Sequence, residues 1–101
     1  AVTSLKPTPL LPGVPALSQT YPGFSIDTWW GLVAPAGTPQ PVTDRLSKAF
    51  IDALRAPETR ERFEALMAEP VGSTPAEFEK FMAAERAKYR DVVKASGARV
   101  D

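Results

Sequence analysis

Glu58, Glu61, Glu64 and Glu69 form a dense acidic run in this 101-residue sequence, and paired carboxylates are the one general acid–base device its composition allows. Histidine and cysteine are both absent. That removes the commonest general base, the thiolate nucleophile, the disulfide and the zinc–thiolate site. The four glutamates stand among arginines at helical spacing, which is the ordinary pattern of a solvated helix face. The expectation is therefore no enzyme, no catalytic residue, no metal and no cofactor.

Recognition is the other chemistry on offer. Lys plus Arg and Asp plus Glu number 12 each, so the summed field gives no reason to expect nucleic acid or an acidic membrane surface as partner. No apolar stretch approaches the ~20 residues of a bilayer-spanning helix. The charges are distributed unevenly. Through residue 41 only Lys6 and Asp27 are charged, and the remaining 60 residues carry 22 of the 24 charges. A small domain normally dresses its outward faces with charge, so the first stretch is expected to be covered by a partner or by further chain.

The elements that must position these groups follow from the pattern. After Pro41, Val42, Leu46, Ala49, Phe50, Ala53 and Leu54 recur at spacings of three and four, which predicts an amphipathic helix. A second helix restarts at Pro57 with Phe63, Leu66 and Met67 as its apolar stripe, ending near Ala68. A third runs from about 75 to 96. Thr74 is its N-cap, Pro75 its first residue, Glu77 completes a capping box, and Gly97 closes it. Phe78, Phe81, Met82, Tyr89, Val92 and Val93 share one face, while Glu79, Lys80, Arg86, Lys88, Arg90 and Lys94 mostly face away.

The first half predicts two strands, "AVTS" at residues 1–4 and "FSIDTWWGLV" at 24–33. Between them "LKPTPLLPGVPALSQTYPG" carries Pro too often for helix or central strand and is expected to be an extended crossing. A polyproline ligand is the alternative for that stretch.

Three blocks, "AVTSLKPTPLLPGVPAL", "PGFSIDTWWGLVAPAGTPQPVTDRL" and "AEPVGSTPAEFEKFMAAE", resemble in order and spacing the C-terminal part of the substrate-binding proteins of tripartite tricarboxylate transporters, the Bug-type periplasmic receptors. The resemblance implies an α/β fold, the closing part of a two-lobed Venus-flytrap receptor of the periplasmic-binding-protein type. Here that part would comprise two strands, the Pro-rich crossing and three helices. Residues 1–23 would be the end of the second lobe and the interlobe crossing, and 24–101 the strand and helices returning to the first lobe. It also implies a periplasmic protein that captures small carboxylates in an interdomain cleft and delivers them to membrane permease subunits. In such a cleft Thr3, Ser4, Lys6 and Thr28 are the polar groups that could reach a ligand, with Trp30 and Gly31 allowing close approach. Trp29 and Trp30 would point to opposite faces, one of them toward the cleft; the alternative is that both are core.

Two departures from the family pattern stand out. Where the family commonly shows Val-Pro-Thr followed by a Glu and a Gly, this chain has Val14, Pro15, Ala16, then Gln19, Thr20 and Tyr21, one residue shorter. Met67 replaces a usual glycine after the second helix. A self-standing helical interaction or dimerisation module remains the alternative function. As a segment of a longer receptor the chain is expected to form a homo-oligomer through residues 1–4 or 24–33.

Overall fold

The computed structural model describes residues 1–99. Three helices carry the second half: α1 (Gln40–Arg55), α2 (Pro57–Ala65) and α3 (Pro75–Ser96). The first half is irregular apart from a single 3-10 turn at Leu17–Gln19.

Each helix begins at a proline-bearing signal, for one reason. Proline has no N–H, and the first N–H groups of a helix have no intrahelical acceptor, so nothing is lost by placing it there. In α1 the carbonyl of Pro39 takes the amides of Val42 (2.9 Å) and Thr43 (3.2 Å). Between α1 and α2 the break is one residue long. Ala56 is held extended at φ −61°, ψ 132° because the ring of Pro57 disfavours helical geometry in the residue before it. α1 and α2 pack on each other, and the loop after α2 returns to α1 so closely that a Cβ on Gly72 would touch Ile51 and Leu54 at 3.9 Å.

α2 ends three residues earlier than its apolar spacing predicts. Met67 turns left-handed at φ 56°, and the Ala68 amide reaches back to the Phe63 carbonyl (2.9 Å), closing the helix end. This is the position where glycine is the usual residue in the resemblance. α3 is bounded as expected, by the Thr74–Glu77 capping box at one end and Gly97 at φ 67° at the other.

The two expected strands do not form among the described residues. Val2 pairs with Ala16 as an isolated parallel bridge, through Val2 N–H to Pro15 O and Leu17 N–H to Val2 O, both 2.9 Å. The ladder stops there because the chain then winds into the 3-10 turn, where Gln19 N–H bonds Ala16 O and Leu17 O takes the Thr20 N–H, the groups a next rung would need. Residues 24–33 meet the first segment at a single backbone bond, Ile26 N–H to Thr3 O at 2.9 Å. One bond does not make a ladder.

Burial is correspondingly thin. Ala16, 2% exposed, is the one fully buried apolar residue among those described. The chain exposes 8471 Å², against about 5,600 Å² for a compact folded monomer of its mass. Its radius of gyration is 16.4 Å, where a compact chain of this length has about 13 Å. Secondary structure is complete in the second half, while tertiary closure is not.

Candidate functional site

Residues 27 to 34 form a ribbon that lies along α3. Trp29 meets Phe78 edge-on at 5.7 Å and 82°, and Phe81 at 5.2 Å and 80°. The two phenylalanines, one helical turn apart, stack at 6.3 Å. Gly31 continues the contact. A Cβ there would lie 2.0 Å from Phe78 Cζ, so only glycine lets the ribbon approach the ring. Trp30 and Leu32, between and beyond these two, are 80% and 68% exposed. Trp29 and Gly31 thus face α3 while Trp30 and Leu32 point away, and Val33, 78% exposed, does not continue the alternation. The two tryptophans do point to opposite faces, and Trp30 is not core.

A polar clamp holds the start of the ribbon. Lys88 Nζ donates to the Ser25 carbonyl at 3.1 Å, pairs with Glu85 and lies 4.9 Å from the centre of the Tyr89 ring. Glu85 and Lys88 side chains are only 14% and 33% exposed, and Glu85 Oε2 is buried with no hydrogen-bond partner among the described residues. Sequence periodicity assigned Lys88 to the outward side. It missed the clamp because a half-buried i,i+3 ion pair has the same spacing as a solvated one. Gly23, Phe24 and Val92 join Lys88 and Tyr89 around a shallow apolar depression there.

The six candidate ligand residues fall on two segments. Thr3, Ser4 and Lys6 lie on the first, and Thr28, Trp30 and Gly31 on the ribbon. The bond from Ile26 N–H to Thr3 O is what ties these segments together. Ser4 is already engaged, its hydroxyl donating to the Lys6 carbonyl at 2.8 Å in a local turn. Lys6, Thr3 and Thr28 are exposed. None of the six lines either shallow depression on the surface, one of which lies between α1 and Pro75 and the other around Lys88. The structure brings the two segments side by side at this bond.

The acidic run has the geometry of a solvated face. Glu58, Glu61, Glu64 and Glu69 are exposed, Arg62 pairs with Glu58 at 2.9 Å, and Thr8 donates to Glu69 across the chain. Lowered carboxyl pKa values have local causes. The Thr74 hydroxyl, then its backbone N–H, holds Glu77 below the usual range, and hydrogen bonding to Lys48 does the same for Asp52. Among the described residues no group of His, Cys, Asp or Glu could hold a metal ion, and no helix is long and apolar enough to cross a membrane.

Comparison with known proteins places this geometry in a sequence family. The family model described as tripartite tricarboxylate transporter family receptor matches residues 1–98. The chain is 33% identical over 94 residues to the UPF0065 protein of the tcbD-tcbE intergenic region of a Pseudomonas species, covering 91% of this chain and 28% of that one. It is 39% identical over 75 residues to the UPF0065 protein of the clcB-clcD intergenic region of Pseudomonas knackmussii, covering 72% and 44%. Protein BugT of Bordetella pertussis is 31% identical over 101 residues, covering 99% and 31%. The chain thus spans less than half the length of these relatives. No solved structure matches it.

Proposed function

The chain belongs to the tripartite tricarboxylate transporter receptor family, and from that premise we propose that it forms part of a periplasmic solute-binding receptor. In this reading the receptor captures a small carboxylate between two lobes and hands it to membrane permease subunits. Residues 1–23 carry the chain out of the second lobe, and residues from 24 onward return it to the first. The work is binding rather than catalysis.

The observation that carries the reading is the Thr3–Ile26 backbone bond, which sets the two segments holding all six candidate residues side by side. A carboxylate does not require a cationic pocket. Backbone N–H groups and hydroxyls suffice when they converge, and the exposed Thr3 and Thr28 hydroxyls and the Lys6 ammonium are of the right kind. Ser4 contributes as an acceptor or through its turn, since its proton is committed to the Lys6 carbonyl. Trp30 supplies an apolar wall, and Gly31 keeps the ribbon flat against Phe78. A self-standing interaction module accounts less well for a family match that runs across nearly the whole chain.

A chimera tests this. The matching segment of Bordetella pertussis BugT is replaced by this chain, and a panel of mono-, di- and tricarboxylates is screened by thermal shift. We expect a folded protein whose melting temperature rises with at least one carboxylate, and a smaller rise after Thr28→Ala or Trp30→Ala. A folded chimera with ligand response unchanged by substitutions at all six positions removes the site assignment.

A further inference from the structure

A single peptide group, the one between Ser25 and Ile26, joins three parts of the chain. Its carbonyl accepts from Lys88 Nζ of α3 at 3.1 Å, and its N–H donates to the Thr3 carbonyl of the first segment at 2.9 Å. Glu85, one turn back on α3, holds the Lys88 ammonium, and both side chains are largely withdrawn from solvent. We propose that Lys88, aimed by Glu85, is a positioning residue for the carboxylate site, acting through the Ser25–Ile26 peptide to set the first segment against the ribbon, a role that rests on the receptor reading above.

A trans peptide is planar, with its C=O and N–H pointing in opposite directions, so a group that fixes the carbonyl on one side also aims the N–H on the other. Lys88 does this from α3, and the N–H so aimed meets Thr3. A cationic donor on the carbonyl also polarises the amide and strengthens its N–H as a donor, and it does so more where water is excluded. The Thr3–Ile26 bond is the one hydrogen bond among the described residues between the stretch holding Thr3, Ser4 and Lys6 and the stretch holding Thr28, Trp30 and Gly31. Whatever orients that peptide therefore sets the spacing of the two groups of candidate ligand residues. The other contacts between α3 and the ribbon, Trp29 and Gly31 against Phe78 and Phe81, are apolar and set how near the ribbon lies. Lys88 alone among the described residues of α3 bonds the ribbon's backbone. An ammonium suits the place, because its three donors can serve the Glu85 carboxylate and the Ser25 carbonyl together while its charge rests 4.9 Å from the Tyr89 ring.

Amide hydrogen exchange of the 101-residue chain, followed by NMR, reads this coupling without any ligand. Lys88→Met, which keeps the stem and removes the donor, should speed exchange of the Ile26 N–H at least about tenfold, while the α3 amides from Phe78 to Phe81 keep their parent rates. Lys88→Arg should restore most of the protection. Glu85→Gln, which leaves the ammonium an acceptor but no charge, should fall between parent and Lys88→Met. A contact that only steadied α3 would speed the helix amides along with Ile26. In the BugT chimera described above, Lys88→Met should raise the calorimetric Kd for the responding carboxylate about tenfold, and Lys88→Arg should recover it. Ile26 exchange that is the same in the parent, Lys88→Met and Glu85→Gln overturns the proposal, and so does a folded chimera whose affinity Lys88→Met leaves unchanged. A chimera that answers to no carboxylate with Lys88 intact removes the carboxylate reading and the affinity effect with it, while Ile26 exchange decides the coupling by itself.

Discussion

Thr74 and Glu77 exchange hydrogen bonds at the start of α3: the Glu77 amide donates to the Thr74 hydroxyl oxygen (3.3 Å), and the Thr74 amide donates to the Glu77 carboxylate (2.8 Å). Thr74→Ala removes the cap and should lower stability by about 1 kcal/mol, read as a shifted urea midpoint at unchanged slope. The same pair sets a pH dependence. Glu77 has a folded-state pKa below the ordinary value of 4.5, so its contribution is fully present above that value and is lost as pH falls through the lowered one. Melting curves of the parent and of Glu77→Gln should therefore differ near neutral pH and converge in acid. Met67 offers the opposite test. Its φ of 56° places a side chain in a conformation that costs an L-residue about 1–2 kcal/mol, and the side chain is half-exposed, so little packing is lost on removing it. Met67→Gly should raise stability by about 0.5–1 kcal/mol in the same urea titration.

At the scale of elements, the decisive contact is the ribbon on α3. Its aromatic cluster leaves no room at Gly31, where a Cβ would sit 2.0 Å from Phe78 Cζ. Gly31→Ala should therefore lift the ribbon, lower stability by about 1–3 kcal/mol and shift tryptophan emission to the red as Trp29 leaves Phe78 and Phe81. Phe78→Leu in the same chain should recover part of that loss, because leucine has no atom where the ring tip stands. A double-mutant cycle over the two positions that closes without coupling would show the ribbon lies elsewhere. This contact also shows how far sequence reached. The three helices were legible because proline, cap residues and apolar spacing are local signals, and the caps at Thr74 and Gly97 fall where those signals put them. The strands at 1–4 and 24–33 do not form among the described residues because β structure is completed by neighbours, and here the bonds of the 3-10 turn end the pairing after one bridge.

At the scale of the whole molecule, the described residues form three helices, one buried apolar residue and an open apolar ribbon. A two-lobed receptor gains affinity by closing both lobes on its ligand, and the six candidate residues lie here on an open surface without a facing lobe. Calorimetric titration of the isolated chain with citrate, glutamate and related acids should accordingly show no micromolar binding. A clear micromolar isotherm would mean that the side-by-side segments are a sufficient site, and would count against the two-lobe reading of how the ligand is held.

What the sequence determined by itself was whatever depends on neighbours within about one helical turn: where the helices start, the capping box and the glycine that closes α3 at Gly97. Composition likewise set aside histidine and thiolate chemistry before any fold was considered. Tertiary structure alone decided which tryptophan is anchored and which is displayed, because that turns on Phe78 and Phe81, some fifty residues away in sequence. It also decided that Lys88 reaches the Ser25 carbonyl, and that residues 27–34 have no backbone hydrogen-bond partner among the described residues. Contacts between residues remote in sequence depend on the path of the chain between them, which no local pattern of residue types encodes.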